Sequence, residues 1–227
     1  MRKALKPAFV ATIPVMTGYL VLGFGFGIVL QANGFDILLA AAMSLFIYAG
    51  SMQYVAIGLL TGGASLLTVA LTTLMVNARH LFYGISMLEK YRDTGRCKPY
   101  LIFALTDETY SLVCQDELPV PPEGRKAYYF LVSLLNQCYW VIGSLLGAAV
   151  GTMVHFNSEG IDFALTALFV TVFVDQWLTA KDHHPALIGV GASVLCLLIF
   201  GSEQFLIPAM LIIALLLCLY KGGKNHA

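Results

Sequence analysis

Apolar residues in this chain come in long uncharged runs, without the alternation of a half-buried strand or the one-sided stripe of a soluble helix. Phe9 to Leu30 and Ile37 to Leu60 contain no charged residue. Each exceeds the about 20 residues that a helix rising about 1.5 Å per residue needs to cross a hydrocarbon core about 30 Å thick. Further apolar segments run over Ala64 to Leu88, Tyr100 to Cys114, Ala127 to Val154, Ile161 to Ala180, Ala186 to Phe200 and Phe205 to Tyr220. Backbone groups in lipid must pair within their own segment, so helix is the expected state of each. Asn33-Gly34, Gly62-Gly63, Pro99, Pro119 with Pro121-Pro122, and Pro185 punctuate the runs. The pattern predicts an all-α, polytopic transmembrane bundle of about six to eight membrane segments, built as one domain over residues 1–227.

Two segments break the pattern. In Ala64 to Leu88 the polar stretch Asn77-Ala78-Arg79-His80 interrupts the apolar run, and Asp107-Glu108 sits in the middle of Tyr100 to Cys114. A central Arg or Asp costs roughly 2.5–3.5 kcal/mol on insertion scales, so such residues face a protein interior or a watered cavity. Both segments are therefore expected to be interrupted or re-entrant. Loop charge points the same way, since short cytoplasmic loops collect Lys and Arg. If every segment crossed with the N-terminus inside, Lys90, Arg92, Arg96 and Lys98 would fall outside. If the two abnormal segments return to the side they came from, or cross only as a pair, all the Lys and Arg outside the apolar segments fall on one side. That arrangement is preferred and puts both termini in the cytoplasm.

Composition removes the soluble alternatives: hydrophobic residues make up 59% of the 227 positions and charged ones 11%, against roughly half and a quarter in ordinary soluble domains. Acidic and basic residues balance at 13 each, which gives no reason to expect nucleic acid as a partner. Arg2, Lys3 and Lys6 before an apolar run imitate a signal peptide, but the run is too long and more spans follow, so it reads as a retained first helix. Five scattered cysteines suggest neither a disulfide framework nor a zinc site.

Candidate chemistry lies in the polar groups at membrane depth. Asn77, Arg79 and His80, with Tyr83 one turn on, suit a broken helix whose freed backbone groups meet a ligand; the alternative is a polar surface loop with Arg79 reaching the headgroups. Thr106 or Asp107 can cap a new half-helix. Asp107 and Glu108 can bind an ammonium, carry a proton or simply pair with Arg79. Gly50 and Ser51 permit a local break, and Gln53 offers a donor and an acceptor, although packing between helices explains single Ser and Gln residues equally well. Asp162 and Asp175 read as interfacial residues near the ends of their segment. Gly143, Gly147 and Gly151 form overlapping G-x-x-x-G units, a face for close helix packing within the chain or with a partner. Gly23-Phe24-Gly25-Phe26-Gly27 follows no strand and is not a phosphate loop, and Asp182-His183-His184 needs no metal to explain it. No H-E-x-x-H, Ser/His/Asp set or Walker A lysine is present, so neither an enzyme nor an ATP-driven pump is expected, and no cofactor or metal.

The stretches Tyr48-Ala49-Gly50-Ser51-Met52-Gln53-Tyr54, Asn77-Ala78-Arg79-His80-Leu81-Phe82-Tyr83-Gly84, Leu105-Thr106-Asp107-Glu108-Thr109-Tyr110 and Ile161-Asp162-Phe163-Ala164-Leu165 resemble those of the AzlC (YgaZ) family, in order and over nearly the whole chain. The resemblance implies the large subunit of a bacterial cytoplasmic-membrane permease that exports valine, leucine, isoleucine or methionine. It further implies a small hydrophobic AzlD-type partner subunit and drive by the proton motive force. Joined with the residues, it places Ser51, Gln53, Asn77, Tyr83, Asp107 and Glu108 at the amino-acid site, with Arg79, His80, Asp107 and Glu108 as proton-coupling or ion-pair groups. The competing readings are a non-transporting assembly or sensor subunit, and a transporter of another small amino acid.

Overall fold

The computed structural model describes residues 2–153, 170, 173–174, 177–178, 180 and 182–224, and every regular element among them is helical. The chain divides into two units, Met1–Leu165 and Thr166–Ala227. Most of the sixth apolar segment, with Asp162 and Asp175, lies outside the described residues.

The first unit is built on α1 (Arg2–Ala32) and α7 (Arg125–Met153), both long and apolar enough to cross a membrane. They run parallel, because their contacts advance together: Gly143 meets Tyr19 and Leu20, Gly147 meets Phe24, and Gly151 meets Ile28 and Gln31. Glycine makes this approach possible. A Cβ on Gly143 would lie 2.8 Å from the Leu20 carbonyl oxygen, and one on Gly147 would fall on that of Phe24. From the other side, Gly23 faces Trp140 and Ser144, while Gly27 faces Ser144 and Ala148. The predicted ridge is therefore spent within the chain, against a second glycine ridge whose role the sequence left unassigned. Close backbone approach maximises dispersion contacts where lipid offers no hydrophobic drive.

Between these helices the chain makes α2 (Ile37–Phe46), α3 (Gly50–Thr61), α4 (Leu66–Met87), α5 (Lys98–Phe103) and α6 (Asp107–Val113), with 3₁₀ turns at Arg92–Cys97 and Pro122–Gly124. The expected interruption of Ala64 to Leu88 is corrected here, since α4 runs unbroken through Asn77, Arg79 and His80. Polar side chains do not by themselves unwind a helix; that takes Pro, Gly or an inserted group. No Pro or Gly stands between Leu66 and Tyr83, and Ser65 caps the start by accepting from the Thr68 N–H at 3.2 Å. Tyr100 to Cys114 is interrupted as expected, at Ala104–Thr106.

The second break falls in Ile37 to Leu60, beside Gly50 and Ser51, which the sequence marked as permitting one. Asp36 caps α2 at Leu39, and the helix ends at Phe46, two residues before Tyr48, whose φ of 46° is left-handed. Such a conformation costs a non-glycine residue roughly 1–2 kcal/mol, so the surroundings must impose it. Two residues on, the Trp140 ring takes the space of a side chain at Gly50: a Cβ there would lie 2.9 Å from its Cη2.

Side-chain contacts fix where each limb goes. Ala4 and Ala8 of α1, Met87 and Tyr91 after α4, Leu101 of α5, Val113 of α6 and Tyr128 of α7 share one apolar cluster. The start of α1, the end of α4, both outer ends of α5–α6 and the start of α7 thus lie on one face, which also carries Lys3, Lys6, Lys90 and Lys126. Lys90 pins the return: its Nζ donates to the Cys114 carbonyl at 2.5 Å, the Gln115 carbonyl at 3.1 Å and Asp116 Oδ1 at 2.9 Å. With 6 and 7 residues, α5 and α6 reach only about 10 Å each. They form a hairpin that re-enters from the basic face. α2 and α3 form its counterpart from the opposite face, joined through Gly62 and Gly63 to α4, whose 22 residues span about 33 Å.

In the second unit α8 (His184–Gln204) and α9 (Leu206–Lys224) pack on each other. Asp182 ties their ends: Oδ1 lies 2.8 Å from His184 Nδ1, and Oδ2 accepts from the Tyr220 hydroxyl at 2.9 Å. A cavity of about 590 Å³ lies beside this link, lined mainly by Phe173, Trp177, His183, Val190 and Ile213.

Candidate functional site

The two hairpins meet tip to tip, with the Tyr48 ring 6.3 Å from that of Phe103. The third member is Arg79, eight residues before the end of α4 at Met87 and so about 12 Å in from the basic face. Its Nη1 lies 2.5 Å from Asp107 Oδ2, and its Nη2 donates to Ser51 Oγ at 3.0 Å. A residue from each hairpin tip is thereby joined to α4. The pair is incompletely satisfied: Arg79 Nε and Asp107 Oδ1 are both buried and make no hydrogen bond. Ser51 sits in the first turn of α3, where Ala49 supplies no side-chain cap, so that end of the helix presents a partial positive charge beside Arg79.

Tyr83 lies next to Asp107, and its ring stacks on Tyr110 with centroids 4.5 Å apart. Thr106 is the cap of α6, accepting from the Thr109 N–H at 3.3 Å, and leaves Asp107 and Glu108 in the first turn, where the helix dipole favours acidic groups. Glu108 turns the other way, toward α1: the Tyr19 hydroxyl is 2.5 Å from Glu108 Oε2 and 2.7 Å from Thr106 Oγ1.

Of the residues singled out in the sequence, Ser51, Arg79 and Asp107 come together, with Tyr83 and Glu108 adjacent. Gln53 and His80 are engaged elsewhere, and Asn77 lies on α4 two residues before Arg79. Gln53 is fully buried, accepting from Trp140 Nε1 at 3.0 Å and donating to Ser44 at 3.4 Å. His80 keeps to its own helix, with Nδ1 3.2 Å from the Asn77 carbonyl and its ring against Tyr83. Sequence reasoning missed Tyr19, Tyr48, Trp140 and Asn136. Asn136-Gln137 inside an apolar span was the available signal, since polar groups there need partners. Gln137 finds the Tyr100 hydroxyl and the Leu45 carbonyl, and Asn136 finds Thr109.

This same core is what other proteins share with the chain. Residues 14–154, which contain both hairpins, α4 and all of α7, match the family model described as "AzlC protein". The chain belongs to the AzlC family. It is 47% identical over 210 residues to the branched-chain amino acid transport protein AzlC of Bacillus subtilis, covering 92% of this chain and 82% of that one. It is 43% identical to an uncharacterised membrane protein of Helicobacter pylori, over 96% of each chain. To the inner membrane protein YgaZ of Escherichia coli the identity is 26%, over 88% of this chain and 82% of that one. No solved structure matches. As an AzlC-family member the chain is a membrane protein, and the Bacillus subtilis relative is named a transport protein.

Proposed function

We propose that the protein exports branched-chain amino acids, valine, leucine and isoleucine with methionine, across the bacterial cytoplasmic membrane. The observation that carries the reading is the Arg79–Asp107 pair at the meeting of the hairpin tips, with Nε and Oδ1 left without partners. A free amino acid brings one carboxylate and one ammonium, and those are the two charges such a pair can exchange for its own. The carboxylate takes Arg79 and the uncapped start of α3; the ammonium takes Asp107 and Ser51. The pair closes on itself when the site is empty, so neither charge is left unpaired at membrane depth, where that would be costly. The Tyr83 ring beside Asp107 provides an apolar wall for the aliphatic group, which makes selection among valine, leucine and methionine shallow, at about 1–3 kcal/mol per methylene.

Loop charge supports an orientation with the basic face, and with it both termini, in the cytoplasm. A small hydrophobic AzlD-type subunit is the expected partner, and the proton motive force the driving energy. The test is counterflow of labelled valine in proteoliposomes, with and without the small subunit, and with glutamate as competitor. Saturable exchange blocked by leucine and untouched by glutamate is expected; correctly inserted protein with no exchange under either condition overturns the reading.

A further inference from the structure

Asp107 and Glu108 are neighbours in sequence with different surroundings. Asp107 has a cation; among the described residues Glu108 has none within ion-pair distance. What Glu108 has is the Tyr19 phenol and, behind it, a line of side-chain groups leading into α7. Tyr19 Oη is 2.7 Å from Thr106 Oγ1, which is 3.0 Å from Thr109 Oγ1, which accepts from Asn136 Nδ2 at 3.0 Å.

With the buried Tyr48 hydroxyl making no hydrogen bond, the donor count along this line has two consistent solutions. With Glu108 ionised, Tyr19 must give its single proton to the carboxylate. Thr106 then donates to Tyr19, Thr109 to Thr106, and Asn136 to Thr109, which leaves Asn136 Oδ1 idle, and that atom is indeed buried without a partner. With Glu108 protonated, every link reverses: the acid donates to Tyr19, Tyr19 to Thr106, Thr106 to Thr109, and Thr109 needs an acceptor. Rotation of the Asn136 amide supplies Oδ1. The hydroxyls turn about their C–O bonds, the proton on Glu108 comes from the aqueous phase, and no covalent bond breaks. Hydrogen bonds in such a chain polarise one another, so the reversal is concerted.

We propose that Glu108 is the carboxylate whose protonation drives the transport cycle, and that Tyr19 is the positioning residue that couples it, through Thr106, Thr109 and Asn136, to the α1–α7 framework. The inference rests on the transport reading above and assigns its coupling site. The groups facing Glu108 from each neighbouring element are Tyr19 of α1, Tyr48 at the α2–α3 tip and Tyr83 of α4; its neighbour Asp107 is held by Arg79. From α7 comes Asn136, by way of Thr109, and it does not titrate.

The test uses protein purified from membranes. Infrared difference spectra recorded as pH is stepped isolate the carbonyl band of a protonated carboxylic acid, and the band lost in Glu108→Gln is that of Glu108. Replacing Tyr19 by Phe removes a charge-assisted hydrogen bond and is expected to displace that titration by about one pH unit, tenfold in proton affinity. Thr109→Val, one shape-conserving change further along the chain, displaces it less and guards against a folding defect in Tyr19→Phe. In proteoliposomes, Tyr19→Phe shifts the pH dependence of valine transport by about one unit, in step with the displaced titration. Absence of a Glu108 band, or a titration identical in Tyr19→Phe, overturns the inference whatever the substrate is. A displaced band in protein that shows no valine counterflow supports the Tyr19–Glu108 coupling and overturns only the substrate.

Discussion

Neutralising Arg79 and Asp107 singly and together separates the two roles that the pair can have. The guanidinium is 39% exposed and the carboxylate 31%, so the pair lies between two regimes. Removing one partner of a fully buried pair costs about 3–5 kcal/mol, and a surface pair is worth about 1 kcal/mol or less. Arg79→Gln or Asp107→Asn alone is expected to cost about 2 kcal/mol, because either leaves one charge facing its missing partner. Arg79 keeps one hydrogen bond, to Ser51, which limits the loss. At about 2–4 °C per kcal/mol for a chain of this size, each single variant melts about 4–8 °C lower. The double variant removes both charges and recovers most of that. Transport behaves oppositely if the pair receives the amino acid. A charge-assisted hydrogen bond is worth about 1.5–3 kcal/mol, so each single variant raises the KM for valine at least about tenfold and the double variant raises it further. The assay is thermal unfolding in detergent beside valine counterflow on the same preparations. A double variant that regains stability and also exchanges valine with wild-type KM refutes the reasoning and leaves Arg79–Asp107 as a structural ion pair.

Two further outcomes follow from the framework. Gly147→Ala places a Cβ on the Phe24 carbonyl, where backbone must move, and is expected to cost about 3 kcal/mol, the upper end for overpacking. Gly84→Ala meets nothing within 4 Å and should be neutral or slightly stabilising in a helix; equal melting temperatures for the two would show that the α1–α7 ridge is not tightly packed. On the basic face, the hydrogen bond from Lys90 and then its charge hold the Asp116 carboxyl below its ordinary range. The folded state therefore binds that proton less readily than the unfolded chain. Its small contribution is complete above the unfolded value of about 3.9 and fades as pH falls below it toward the lower folded value. Asp116→Asn should flatten that part of the acid unfolding curve, while Lys90→Met, which also frees the Cys114 and Gln115 carbonyls, should lower stability at neutral pH as well.

How much of this was legible beforehand depended on which interactions were local. Run length and the scarcity of charge determined helix and membrane without any tertiary information, since lipid leaves the backbone no other way to pair. Thr106 as a cap and the break after Phe103 were readable too, because a cap is set by residues three apart. The basic face was foreshadowed by the positions of Lys90, Arg92, Arg96 and Lys98, and the glycine spacing announced a close helix contact. Tertiary structure decided the rest. Asn77-Ala78-Arg79-His80 looked like a broken helix, but Arg79 finds Asp107 and Ser51, distant in sequence, while α4 stays wound. A break does occur at Tyr48-Ala49-Gly50, where the sequence allowed one, and there the Trp140 ring from another helix takes the room that a side chain at Gly50 would need. Gln53 was drawn off to Trp140 by the same packing. Tyr19, an ordinary tyrosine in an apolar run, acquired Glu108 only because the parallel α1–α7 pair sets it against the tip of the α5–α6 hairpin. Hydrophobic runs specify which segments enter the membrane; which polar groups meet inside it depends on partners tens of residues apart, and no local pattern records them.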